Sequence, residues 1–253
     1  MSGLITAATG SGDVILKGIR AGGEAVEASS NFGEVQIRDA QGGTLAASSS
    51  SGEVTVENSA FTGRAELTTS FGNVNATDLK ADSLDARTNS GEVTLRELEI
   101  LKALTAHSDF GDIEILGSAA ERYDLDTNSG EITANDVHGS VKARSGFGDI
   151  RVRGTDAVLD LSTGSGSIEF TGSLGAGTSV LHTNFGDIRV RLPEDASFVF
   201  DLSTSFGNVD CGFPGVSGRN DSTRLEGTVG AGGPMLEAST NSGSISVQPQ
   251  TAG

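Results

Sequence analysis

Tryptophan is absent from this 253-residue chain, cysteine occurs once, methionine twice and proline four times. Aromatic residues make up 5%, too few to anchor a globular core on large rings. The single thiol, Cys211, excludes an internal disulfide framework and leaves the redox compartment open. Long apolar runs are missing as well: nothing approaches the ~20 residues that span a bilayer as a helix. The opening Met1-Ser2-Gly3-Leu4-Ile5 has neither the basic stretch nor the apolar stretch of an export signal. With no signal peptide and no transmembrane segment, the chain as given reads as cytoplasmic.

Positive charge is also scarce. Seventeen Lys and Arg face 34 Asp and Glu, a formal net charge of −17. Such a surface repels a phosphate backbone, so no nucleic-acid partner is expected. It equally disfavours unaided docking on anionic lipid. Solubility and self-repulsion are the plain consequences.

What the chain does have is glycine, 36 residues of it, and the glycines recur. A turn glycine, one further residue, then Val or Ile appears at Gly12, Gly33, Gly52, Gly72, Gly91, Gly111, Gly130, Gly148, Gly166, Gly186, Gly207 and Gly243. The steps are 18 to 21 residues, except the last, which is 36. Such self-similarity is the mark of a repeat architecture.

Alignment on that glycine exposes two strands per unit. Apolar residues stand two and four positions after it, as in Val35/Ile37, Val93/Leu95 and Ile188/Val190. A second pair lies seven and five positions before it, as in Leu45/Ala47, Leu84/Ala86 and Leu159/Leu161. Alternation with period two marks a strand with one buried face. The expected fold is therefore all-β: a β-solenoid, or β-helix, of about twelve ~20-residue repeats. A single domain over 1–253 is expected, with 208–253 as an atypical C-terminal closing segment that shields an open edge. Within that segment Gly227-Thr228-Val229 reads as a degenerate thirteenth unit.

The corner has its own chemistry. Three residues before the glycine every unit carries Ser or Thr, from Thr9 and Ser30 to Thr204 and Thr240. Strand parity turns these hydroxyls inward, where backbone or stacked neighbours must satisfy them. The next residue is Asn, Asp, Ser or Gly, suited to a tight turn. The residue just before the glycine alternates: Ser11, Phe32, Ser51, Phe71, Ser90, Phe110, Ser129, Phe147, Ser165, Phe185, with a break at Phe206. A ~40-residue super-repeat is thus laid over the ~20-residue unit. Two coils fit: two strands per turn, stacking Phe on Ser, or four strands per turn, stacking Phe on Phe. The tendency of solenoids to form ladders of like residues favours the second.

Candidate chemistry is sparse. Asp13, Glu34, Glu53, Glu92, Asp112, Glu131, Asp149 and Asp187 follow the turn glycine and would stack into an outward acidic ladder. Calcium would need six to eight oxygens in a tight loop, and the nonapeptide of calcium-binding β-rolls is missing, so solvated edge charge is the expectation. His107, His138 and His182 are scattered without ligand spacing. Cys211 falls on an inward position and reads as a small buried hydrophobe. No nucleophile elbow, phosphate loop or dinucleotide fingerprint is present. Parallel β-helix hydrolases build their sites on long loops, whereas connections here are short and uniform. No enzyme is expected, and no catalytic, cofactor-binding or metal residue is assigned.

The reiterated Thr-x-Ser/Phe-Gly-Asp/Glu-Val/Ile units carry a family resemblance. So do Leu192-Pro193-Glu194 leading to Phe206-Gly207-Asn208-Val209, and the ending that runs from Gly230-Ala231-Gly232-Gly233-Pro234 to Ser244-Ile245. Together they resemble the bacterial DUF4097 family, whose members also carry an adhesin label. The resemblance implies a β-solenoid that is often exported or membrane-tethered, with no catalytic residues to transfer and no cofactor. The expected function is a non-catalytic structural or adhesive module at the cell surface or envelope, with an unidentified protein or glycan partner. Two alternatives remain: a bactofilin-like scaffold self-associating through the solenoid ends, and an accessory of an envelope stress-sensing system.

Overall fold

The computed structural model describes residues 3–214, 216–220 and 222–250. Met1, Ser2, Gly215, Asp221 and residues 251–253 lie outside them. Among the described residues there is no helix, and the strands pair in parallel almost throughout. The chain is a β-solenoid, divided into two compact units at 1–127 and 128–253.

In the first unit the strand Ile5–Thr9 pairs with Val26–Ser30, which pairs with Leu45–Ser49. The strand Val14–Lys17 pairs with Val35–Arg38 in the same way. Residues about one repeat apart are therefore direct neighbours, and each repeat completes a full coil. The favoured four-strand coil is thereby corrected: Phe71 stacks on Ser90, and Phe110 stacks on the other side of Ser90. The reason is a third side that the repeat pattern conceals. Gln41 bridges to Arg20, Ser59 pairs with Leu79, and Glu99 with Lys80, closing the coil before the next repeat begins.

A second corner joins the middle side to this third side. Asp39, Asn58, Asp78 and Glu97 sit there with φ between 46° and 56°. Left-handed backbone favours residues such as Asn and Asp, whose short polar side chains bond locally. Asn58 does so by donating from Nδ2 to Oδ1 of Asp39 in the preceding coil. The three sides enclose a narrow core, in which Val35, Ile37, Leu67, Leu84, Leu95 and Leu104 are shielded from water. Small residues leave room where the sides converge, which is why a chain so poor in aromatics fills its interior.

The second unit repeats this plan with one departure in order. Strand Thr178–Phe185 pairs with Met235–Ser242, and that strand pairs on its other side with Phe198–Phe206. Likewise Ile188–Leu192 pairs with Ile245–Pro249, which pairs with Val209–Cys211. The last repeat in sequence thus slots between the two repeats that precede it. Ser217–Asn220 pairs antiparallel with Arg224–Val229, and Arg224–Val229 pairs antiparallel on its other side with Phe198–Phe206. Gly227-Thr228-Val229 is therefore antiparallel strand, not a thirteenth repeat. Antiparallel pairing removes it from the parallel stack.

Candidate functional site

Each coil presents one tight corner, and its residues explain the pattern around the turn glycine. The Ser or Thr three residues before a glycine donates its hydroxyl hydrogen to the carbonyl of the turn glycine one coil below. Ser30 bonds Gly12 at 2.8 Å, Thr88 bonds Gly72 at 2.8 Å and Thr163 bonds Gly148 at 2.9 Å. The reordered end obeys the same rule, Thr240 donating to Gly186 and Thr204 to Gly243. Thr9 donates instead to the carbonyl of Ser11. The glycine is required by proximity. A Cβ on Gly91 or Gly148 would overlap the carbonyl of Gly72 or Gly130 below it.

Outside the corner the residue before each glycine is thrown into solvent. Phe32, Phe71, Phe110, Phe147 and Phe185 are 64 to 68% exposed, and Phe206 77%. They project from alternate coils. Phe147 and Phe185 both flank Ser165, and Phe185 and Phe206 both flank Ser242. The break in alternation at Phe206 vanishes in the stacked order, where Phe185, Ser242 and Phe206 follow one another. With neighbouring strands ~4.8 Å apart, successive rings within each unit stand about 9.6 Å apart along its edge. Each unit thus carries a spaced row of exposed rings on one edge.

Carboxylates accompany this edge. Asp13 accepts the amide of Glu34 at 2.9 Å, Asp149 that of Ser167 at 2.8 Å and Asp187 that of Ser244 at 2.8 Å. The shorter acids of the row thus cap the next coil's corner, as Asn73 does for Glu92. The two units differ in charge. In the second, Asp149 and Glu131 pair with Arg151, and Asp187 pairs with Arg189. In the first, Asp13, Glu34, Glu53 and Glu92 have no ion-pair partner among the described residues.

The remaining sequence candidates are dispersed. His107 lies with Nδ1 3.1 Å from Asp126 and Nε2 3.4 Å from Asp109. Asp126 reaches it from the next coil, a partner that linear spacing does not show. His182 meets the hydroxyl of Ser239, and His138 is exposed. Among the described residues no three His, Cys, Asp or Glu converge as a metal set. Cys211 is half-buried rather than buried, and burial pushes its thiol above the ordinary range. A hollow of about 220 Å³ in the second unit lies beside Leu192, Pro193, Ala196 and Phe198. It holds one carboxylate, Asp195, and no nucleophile–base pair. No helix among the described residues is long and apolar enough to cross a membrane.

Repeated coils, hydroxyls committed to backbone carbonyls and an exposed edge that repeats with the coils define a β-solenoid repeat protein. Two overlapping stretches, residues 3–133 and 101–248, match the Toastrack DUF4097 family, and the chain belongs to it. No curated protein and no solved structure matches the chain.

Proposed function

We propose that this chain is a non-catalytic structural or adhesive module of the cell surface or envelope, whose contact faces are the phenylalanine edges of its two units. The observation that carries this reading is the exposure of all six rings at one corner position. Their neighbours at that position are serines, so the fold itself does not require an aromatic there. A repeated face favours many weak contacts acting together, which is how an extended partner is held. The absence of catalytic function is part of the proposal. It is supported by the short uniform connections and by corner hydroxyls that already donate to carbonyls.

The test is binding of the purified chain to bacterial cells, glycans and matrix proteins, with F32S/F71S/F110S and F147S/F185S/F206S as comparators. Loss of binding in variants with unchanged circular dichroism supports the reading. Undiminished binding, or none by the parent chain, counts against it.

Self-association is favoured by a separate observation. Among the described residues Ile5–Thr9 and Val14–Lys17 each pair with a single strand, and a strand paired on one side is the kind of edge that strand addition uses. Light scattering over a concentration series decides it: a growing series of oligomers supports a scaffold, and a constant monomer dismisses one.

A further inference from the structure

We infer that the edge of the first unit, Phe32–Phe71–Phe110 with Glu34, Glu53 and Glu92, is a docking surface for a basic protein segment in the polyproline II conformation. The inference rests on the contact-face reading above and names the occupant. Two independent features of the edge point to it.

The first is period. The rings recur every second coil, about 9.6 Å apart, because neighbouring strands lie ~4.8 Å apart. A polyproline II helix has three residues per turn and rises about 3.1 Å per residue, so it presents the same face every ~9.3 Å. Across the span from Phe32 to Phe110 the two periods drift apart by less than about 1 Å. Each ring can therefore meet an equivalent residue of the ligand. Ser90, smaller than a ring, stands between Phe71 and Phe110. Recognition by exposed aromatics suits this conformation, which is already extended and loses little entropy on docking.

The second feature is charge. The carboxylates of Glu34 and Glu53 accept hydrogen bonds from neutral side chains, Gln36 in one case and Thr55 and Asn75 in the other. Neither they nor Glu92 has a cationic partner among the described residues, while the first unit's arginines are engaged elsewhere, as in Arg38 with Glu57 and Arg64 with Asp85. Glu34 lies on a ring coil and Glu53 and Glu92 on the serine coils between rings, so long Lys or Arg side chains of the ligand, reaching to the ring coil or the coil beside it, would meet carboxylates and ring faces together. The second unit carries the same rings, but Arg151 and Arg189 already neutralise its acids, so it lacks this complement. A second copy of the chain would bring its own acidic edge against this one and is disfavoured by the net charge of −17.

The experiment titrates the intact chain with fluorescent peptides of about twelve residues, four turns of polyproline II. One repeats Pro-Pro-Arg, one Pro-Pro-Glu and one Gly-Gly-Arg, the last keeping the charge without the conformation. Saturable binding of the Pro-Pro-Arg peptide is expected, with affinity reduced about tenfold or more for Gly-Gly-Arg and by F32S/F71S/F110S. E34Q/E53Q/E92Q should flatten the salt dependence, and F147S/F185S/F206S should change affinity little. Equal binding of both arginine peptides, insensitivity to F32S/F71S/F110S, or no binding overturns the inference. So do oligomers that this variant abolishes in a chain that ignores every peptide, which would make the occupant a second copy. If the peptides fail while F32S/F71S/F110S still loses binding to cells, the occupant is wrong and the contact face stands.

Discussion

At the residue scale the turn glycine and the hydroxyl that reaches back to it form one repeated device. Thr88→Val keeps the side-chain volume and strands the Gly72 carbonyl it serves at 2.8 Å. The expected loss is about 1–3 kcal/mol, measured as a shift of the urea midpoint at constant slope. Gly91→Ala should cost more than Thr88→Val, because its new methyl meets backbone that cannot swing aside. Equal stability of parent and variants would show that the corner does not constrain the stack. The phenylalanines behave oppositely: Phe71→Ser should leave the midpoint within about 0.5 kcal/mol of the parent, since the ring is exposed and serine occupies the next coil. Cys211 offers a chemical check. Burial raises its pKa, so less thiolate is present at neutral pH than for a free thiol. Alkylation by iodoacetamide should be slower than that of glutathione and should accelerate only at more alkaline pH. A rate matching glutathione would contradict that environment.

At the scale of elements the C-terminal reordering is the sharpest claim. Met235–Ser242 lies between Thr178–Phe185 and Phe198–Phe206, paired on both sides. Its amides should exchange with deuterium as slowly as those of interior strands such as Leu45–Ser49. Fast exchange along Leu236–Thr240 would place this repeat at the end of the stack instead. The two strand faces, their inward pairs and the Ser or Thr at the corner are legible in sequence because period and parity recur in every repeat. The third side is not, since its inward positions change from Ala40 to Ser59 to Leu79 and its strands are short. The number of strands per turn is also invisible, because coils of 20 or 40 residues preserve the same alternation. Repeats in register are interchangeable, so nothing in the local pattern dictates that Gly243 sits between Gly186 and Gly207. One trace of it does exist: the alternation fails at Phe206 in sequence and is intact in the stack.

At the scale of the whole molecule, family membership places this chain among Toastrack DUF4097 domains. The reading of residues 1–253 as a single domain belongs to the proposal, and it predicts one cooperative transition in calorimetry. Two well-separated transitions would contradict it and divide the chain functionally as well. Charge acts at this scale too. The phenylalanine row would be an aggregation hazard on a neutral protein, and the excess of carboxylates keeps such rows apart. Lowering the pH into the carboxylate range removes that repulsion, so light scattering should rise there for the parent and less for a chain with all six rings replaced by serine. Equal scattering would separate the rings from any tendency to associate. The candidate site is half-legible in sequence: Phe32 and its counterparts form an alternation, but only the coil register shows that within each unit they share an edge without touching.

The most direct measurement is binding of intact cells and of the basic polyproline peptide by the parent chain and by F32S/F71S/F110S, at matched circular dichroism and urea midpoint. A contact face built from these rings predicts loss of both activities with the fold unchanged. Full retention of both by a correctly folded variant would contradict it.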